Sequence, residues 1–514
     1  MSEPFAGAAT FVGRVVQNAG RPLVLSAEKS RFSANIYDEY KDFVRDGMFL
    51  VAEAPIDGAR TICRVRRLES YGDQSSIAFQ SIHEFVTIAE LEPLGQLMGS
   101  SPVPMVNTNL HGFSLRPCRG MELALVFRLP QAGVPLGQVV LDGGEEPVSF
   151  LLPEELAYRS AFFCGAKGSG KTTSLRTLLP QLSALPFGRR PAIVILDVEG
   201  EFTTARVREL FQAEGVTPKL LKLAADGKEA TATLGLAQVH YEDFVNFAPN
   251  LPLNSMIHLE GIMKELTYAY TQGGRKPKAS EILSEVQRAA WRRPAIHPSQ
   301  RDALVRATTS DVFAMFDQGE LPTVTPADLV REGEVSVLDV SRLTDDQQRV
   351  VALYLLSSIT RYKDRSQDTT GVLVIMDEAQ KLFPHKGDLK QEYAERLGKF
   401  VSHIVHRGRR RRLGVILATQ YPADVSREVV DLCDTKLVFR MSGSQSWLKA
   451  TLGDTDAVRK VPELGVGQAY VTSTGLDLIA PVRVGFPQPA DNQPAVSSSP
   501  TERASGASRE PATS

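Results

Sequence analysis

The string Gly165-Ala166-Lys167-Gly168-Ser169-Gly170-Lys171-Thr172 constrains this chain more than any other feature. It has the G-x-x-x-x-G-K-T spacing of a phosphate-binding loop. Gly165, Gly168 and Gly170 permit backbone conformations closed to side chains, so successive N–H groups can turn inward onto phosphate oxygens. Lys171 places a compact cation on the β- and γ-phosphates, and Thr172 offers a hydroxyl to Mg²⁺. The flanks agree. The apolar run 161–164 suits a buried strand, and 173–182, starting at Thr173, reads as a helix whose N-terminus adds its dipole to the site. Strand, loop and helix in succession predict an α/β core that takes ATP and Mg²⁺. The competing reading, a glycine-rich surface turn, would not call for those flanks.

At 514 residues the chain is too long for one core, so several domains are expected. Apolar residues at 43% and charged residues at 23% describe an ordinary water-soluble composition. The net charge of −2 does not announce a nucleic-acid partner, yet a positive channel can be balanced by acidic surface elsewhere. Cys63, Cys118, Cys164 and Cys433 lie far apart with no C-x-x-C spacing, which argues against a zinc site or a disulfide framework and for a reducing cytoplasm. The N-terminus lacks the basic and apolar regions of a signal peptide, and no apolar run approaches the ~18 residues of a membrane span. A cytoplasmic protein without a membrane segment is expected.

In chain order, residues 1–90 carry short alternating runs at 10–16, 48–52, 61–65 and 76–79 separated by turn residues, the rhythm of a small β-barrel or sandwich. His83-Glu84 lacks the second histidine of a zinc-protease motif and reads as structural. Residues 91–150 read as a linker plus edge strands, including a strand at 123–127. The first part of the ATPase core spans 151–235, a helical insertion spans 236–332, and the second part of the core spans 333–486. The insertion's basic turn, 273–278, reads as a solvated face. Residues 487–514 are Pro, Ser, Ala, Thr and Gly without periodicity, the composition of a disordered tail.

Further strands bring chemistry with them. The run 192–197 is a continuous apolar strand of parallel-sheet type that delivers Asp197, Glu199 and Glu201 at its carboxyl end, where α/β folds place ligands. These acids could serve Mg²⁺, the attacking water or a partner cation, or they could be solvated acids of a strand-end turn. The run 371–376 ends in Asp377-Glu378, and with the phosphate loop upstream that is the Walker B pattern: Asp377 for the Mg²⁺ shell, Glu378 to polarise water. A probable helix at 345–361 precedes it, and a basic helix ending in Arg409-Arg410-Arg411-Arg412 follows. The next buried strand, 413–419, carries Gln420 at its tip. The arginine run could be a solvated patch, a contact for DNA phosphates, or a finger reaching a neighbour's nucleotide.

Taken together these motifs resemble the HerA family of hexameric DNA translocases, relatives of FtsK and of conjugative-transfer ATPases. The resemblance runs over roughly residues 10–486 and rests on motifs in the family's order. These are the β-rich start, the phosphate loop, Asp197-Val198-Glu199-Gly200-Glu201-Phe202, Asp377-Glu378-Ala379-Gln380, Arg407-Gly408-Arg409-Arg410 and Ala418-Thr419-Gln420-Tyr421-Pro422. The family usually has histidine at Gln380, E-G-R-K at 407–410 and arginine at Tyr421. The resemblance implies a RecA-like P-loop core with a small N-terminal barrel and a helical insertion. It also implies a homo-hexamer with ATP at subunit boundaries and double-stranded DNA in the pore. It assigns Gln420 as the γ-phosphate sensor, Arg409 as the candidate finger, and Asp197 and Glu201 to the active-site shell.

Two functions fit. One is a translocase that pumps duplex DNA for a partner nuclease, in DNA end processing or antiviral defence. The other is an ATP-binding ring scaffold that assembles and regulates an effector with little translocation. A conjugation-type membrane pump is disfavoured because no membrane span is present.

Overall fold

The computed structural model describes residues 11–16, 32–55, 58–71, 86–104, 110–130, 132–140, 148–152, 159–213, 215–225, 229–236, 244, 247–248, 251–273, 278–309, 311–366, 368–384, 402, 406–408, 410–473 and 482–484. The run at 76–79, His83-Glu84, most of the basic turn, Arg409 and the tail at 487–514 lie outside the described residues.

The N-terminal sheet contains β1 (Gly13–Val16), β2 (Phe32–Ile36), β3 (Phe49–Glu53), β4 (Arg60–Tyr71), β5 (Val86–Met98), β6 (Ser101–Val103) and β7 (Ser114–Pro117). Its order is β2-β1-β7-β3-β4-β5-β6, and a further pairing of β2 with β5 closes β1, β2, β5, β4, β3 and β7 into a six-stranded barrel. Closure removes the open edges that would otherwise template association. The interior is filled by alternating residues such as Val15, Ala34, Leu50, Ala52, Cys63, Val65, Ala89, Leu91 and Leu115.

The strand expected at 123–127 is instead part of a helix, Gly120–Val126. Its Met, Glu, Leu and Ala residues are good helix formers. Glu122 secures the first turn: it accepts from the Arg119 N–H at 3.0 Å and, through two oxygens, from Arg116 on β7 at 2.9 and 2.7 Å. Burial works against this carboxylate, but the guanidinium and the backbone donor hold it below the usual range.

The second sheet adds β8 (Val134–Val139), β9 (Val148–Leu152), β10 (Ala161–Cys164), β11 (Ala192–Asp197), β12 (Lys219–Lys222), then β15 (Val335–Asp339), β16 (Val372–Met376), β17 (Leu413–Thr419), β18 (Thr435–Phe439), β19 (Gln468–Ser473) and β20 (Val482–Val484), β13 (Thr233–Leu234) and β14 (Thr323–Val324) forming a separate pair. The order is β12-β15-β11-β16-β17-β10-β18-β19-β20-β8-β9. From β12 to β18 all pairings are parallel; beyond β18 they are antiparallel. The central parallel strands β10, β11, β16 and β17 are buried at every position because both faces are covered. Helices Lys171–Ser183 and Asp345–Ser366 contribute to the two cores on opposite faces. Helices Leu253–Gln272, Ala279–Arg292 and Pro298–Thr308 build the helical insertion.

The barrel meets the second sheet's domain through ion pairs. Arg66 on β4, held within the barrel by Glu92 of β5 at 2.6 Å, donates across to Asp456, and Arg64 lies 3.7 Å from Asp454. All four cysteines are buried thiols, and burial pushes those of Cys63 and Cys433 up to about 12.

Candidate nucleotide site

Sheet register brings the motifs together. β10 lies between β17 and β18, and β17 lies between β10 and β16. Cys164 is level with Thr419 and Met376 with Leu417, so the phosphate loop, Asp377-Glu378 and Gln420 all emerge at one carboxyl edge.

The loop is fixed by backbone bonds to three neighbours. Gly165 N–H donates to Thr419 O at 3.3 Å, Ala166 N–H to Arg440 O at 2.8 Å, and Gly467 N–H to Ser169 O at 2.8 Å. Gly170 has φ +112°, closed to most side chains, and a Cβ there would meet the Gly467 backbone at 2.8 Å. Gly168, at φ +73°, faces open space. Thr172 and Thr173 start the helix Lys171–Ser183, Thr172 half-buried and Thr173 exposed. Lys167 is exposed at the loop's outer side. Lys171 is buried, and its Nζ donates to the carbonyls of Gly165 at 2.6 Å and Ala166 at 3.3 Å. Burial lowers its pKa, while Asp377 and Glu378 oppose that shift.

Asp377 is buried and accepts from the Glu378 N–H at 2.8 Å. Burial, then Glu378 and Glu201, push it up to about 6 against the pull of Lys171. A divalent cation supplies the positive charge that this group of acids lacks, so the donor set of Thr172 and Asp377 fits Mg²⁺. Glu378 sits at φ +51°, unusual for a non-glycine residue and typical of strained functional positions. Its Oε1 accepts from Gln420 Nε2 at 2.6 Å, and Oε2 accepts from Gln380 Nε2.

The acids after β11 fall into different roles. Both oxygens of Asp197 are engaged by backbone donors, Glu201 N–H at 2.9 Å and Phe202 N–H at 2.8 Å, so this buried carboxylate shapes the turn. Burial raises it to about 6 despite those bonds. Glu199 pairs with Lys381, and Glu201 pairs with Arg176 of the phosphate-loop helix at 3.2 Å. Glu201 still acts electrostatically on Lys171 and Asp377.

In the arginine run, Arg411 forms a two-point pair with Asp364 and Arg412 donates to Thr369 O at 2.8 Å. Arg411 is thus tied to the last turn of the helix Asp345–Ser366 and Arg412 to the loop after it, while Arg407 and Arg410 are exposed. Arg409 lies outside the described residues.

Sequence reasoning gave no role to Gln380, Thr419, Arg176, Lys381 or Gly467. Gln380 carried a faint signal, an amide two residues after Glu378; the others become partners only through the sheet order.

Residues 134–359 match the family described as helicase HerA, central domain. A similar protein is the DNA double-strand break repair helicase HerA of Sulfurisphaera tokodaii, 20% identical over 490 residues, with 90% of each chain covered. Among solved structures, VirB4 of Thermoanaerobacter pseudethanolicus aligns with a TM-score of 0.52 at 15% identity, over 70% of this chain and 97% of that one. The bacterial conjugative coupling protein TrwBdeltaN70 aligns with a TM-score of 0.49 at 16% identity, over 73% and 95%. Residues 134–359 thus carry the likeness to the HerA central domain, and the chain as a whole is similar to a HerA helicase in sequence and to VirB4 in fold.

Proposed function

We propose that this chain is an ATP-driven DNA translocase that works as a homo-hexamer on double-stranded DNA, for a partner nuclease or other effector. The observation that carries the reading is the convergence of Lys171, Asp377, Glu378 and Gln420 at one sheet edge, with Gln420 in contact with Glu378. Holding ATP needs the loop and its lysine. Coupling Glu378 to a residue that senses the γ-phosphate serves turnover, which favours a motor over an ATP-binding scaffold.

In this reading Lys171 exchanges its carbonyl partners for phosphate oxygens, and Thr172 and Asp377 hold Mg²⁺. The metal, when bound, neutralises charge on the phosphates. Glu378 polarises the attacking water, and Gln420 leaves Glu378 for the γ-phosphate. Glu201 tunes the field at Lys171 and Asp377. Arg409 supplies the finger at the neighbour's site. Similarity to a DNA double-strand break repair helicase makes DNA end processing the nearer setting, with antiviral defence as the other.

The test is ATP hydrolysis with and without linear duplex DNA. Wild type should be stimulated by DNA, and Lys171→Ala should be inactive in both conditions. Turnover by Lys171→Ala, or indifference of the wild type to DNA, would contradict the reading.

A further inference from the structure

The contact between Gln380 and Glu378 belongs to a directed chain. Tyr421 N–H donates to Thr419 Oγ1 at 3.1 Å, Thr419 Oγ1 lies 2.6 Å from Gln380 Oε1, and Gln380 Nε2 reaches Glu378 Oε2. A hydroxyl has one proton to give. Thr419 Oγ1 accepts from Tyr421 and gives its proton to Gln380 Oε1, because a flipped amide would turn its carbonyl onto the Glu378 carboxylate. That fixes the amide's orientation, so its NH₂ faces Glu378 rather than its carbonyl. Thr419 is fully buried and anchored in β17, and its own carbonyl accepts from Gly165 of the phosphate loop.

The two amides that hold Glu378 are therefore unequal. Gln420 follows the end of β17, and among the described residues its side chain bonds to Glu378 Oε1 alone. Gln380 is held at its far side by a buried hydroxyl. We infer that Gln380 is a positioning residue for hydrolysis: with Thr419 behind it, it keeps Glu378 Oε2 in place while Gln420 exchanges off Oε1, freeing one oxygen for water. The inference rests on the proposed role of Glu378 in polarising that water. It also accounts for a left-handed Glu378, since a residue at φ +51° needs surroundings that over-determine its side chain.

The test compares Gln380→Met, Gln380→His, Thr419→Val and the double variant Gln380→Met/Thr419→Val, with Glu378→Gln measured in parallel. Each is followed by kcat, KM for ATP, affinity for a fluorescent ATP analogue and melting temperature. A hydrogen bond to a charged group accounts for about 10- to 100-fold, so Gln380→Met should lose that much kcat with KM and analogue affinity within about twofold. Gln380→His, whose ring N–H can donate, should recover most of the loss. Thr419→Val should lose less than Gln380→Met, and the double variant should match Gln380→Met, because both changes break one chain. Wild-type kcat in a folded Gln380→Met, or a double variant whose loss is the product of the single losses, would overturn the inference. If Glu378→Gln itself turned over ATP normally, the reading beneath it would fall as well; if Glu378→Gln is inactive and Gln380→Met is not, only the inference falls.

Discussion

Gly170→Ala should weaken nucleotide binding severely. Two costs come from the structure. The backbone at φ +112° is a conformation that a Cβ strains, at about 1–3 kcal/mol. The new Cβ would also press at 2.8 Å on the N and Cα of Gly467, which are backbone atoms that cannot rotate away. The free loop can relieve both by turning its N–H groups off the phosphate position, so the cost reappears on binding. At ~1.4 kcal/mol per tenfold, the strain alone weakens binding by about 5- to 150-fold, before the clash is counted. Gly467→Ala is the internal comparison. Its φ is +77°, but its Cβ meets only Val484 O at an ordinary 3.5 Å. Its cost should stay near the ~1–2 kcal/mol of a left-handed alanine and fall mainly on stability. Titration of a fluorescent ATP analogue by anisotropy, with melting temperatures as the folding control, measures the pair. Near-wild-type affinity in Gly170→Ala, or a larger affinity loss in Gly467→Ala, would refute the reasoning.

Glu122→Ala should destabilise the barrel side by about 3 kcal/mol, the low end for a broken buried pair, because the Arg116 guanidinium loses its two-point partner but keeps Glu53 at 3.2 Å, and Arg60 loses its partner at 2.6 Å; thermal or urea unfolding would show it. Arg409→Ala should bind ATP and hydrolyse it poorly, with some activity restored on mixing with Lys171→Ala subunits, whereas Arg411→Ala should act on stability through the lost Asp364 pair and gain nothing from mixing. DNA affinity should be nearly independent of sequence and fall about 10³-fold or more between about 50 and 200 mM salt if about six phosphates are engaged; a flat salt response in filter binding would contradict a phosphate-lined channel.

The centre of the parallel core was legible because β10, β11, β16 and β17 are continuous apolar runs ending in chemistry, whereas the edge strand β12, Lys219–Lys222, gave no such signal. The runs at 161–164, 192–197 and 413–419 match β10, β11 and β17, and the helix expected at 345–361 extends to Ser366. The segment at 123–127 misled because local apolarity was compatible with either element. What decided it was Glu122 meeting Arg116, a partner on another strand that periodicity cannot see. The acids after β11 show the same limit. Asp197, Glu199 and Glu201 look equivalent in sequence, yet one holds a turn, one pairs with Lys381 and one pairs with Arg176. Gln380 lies near Glu378 in sequence, but its link to Thr419 arises only from the pairing of β16 with β17.

The central claim, that ATP turnover moves the protein along duplex DNA, is tested most directly by displacement of a third strand annealed to a linear duplex. The wild type should release it only with hydrolysable ATP and Mg²⁺, while Glu378→Gln should bind both ATP and DNA and release nothing. Retention of the third strand by wild-type protein that is hydrolysing ATP on that same DNA, or its release by Glu378→Gln, would contradict the account.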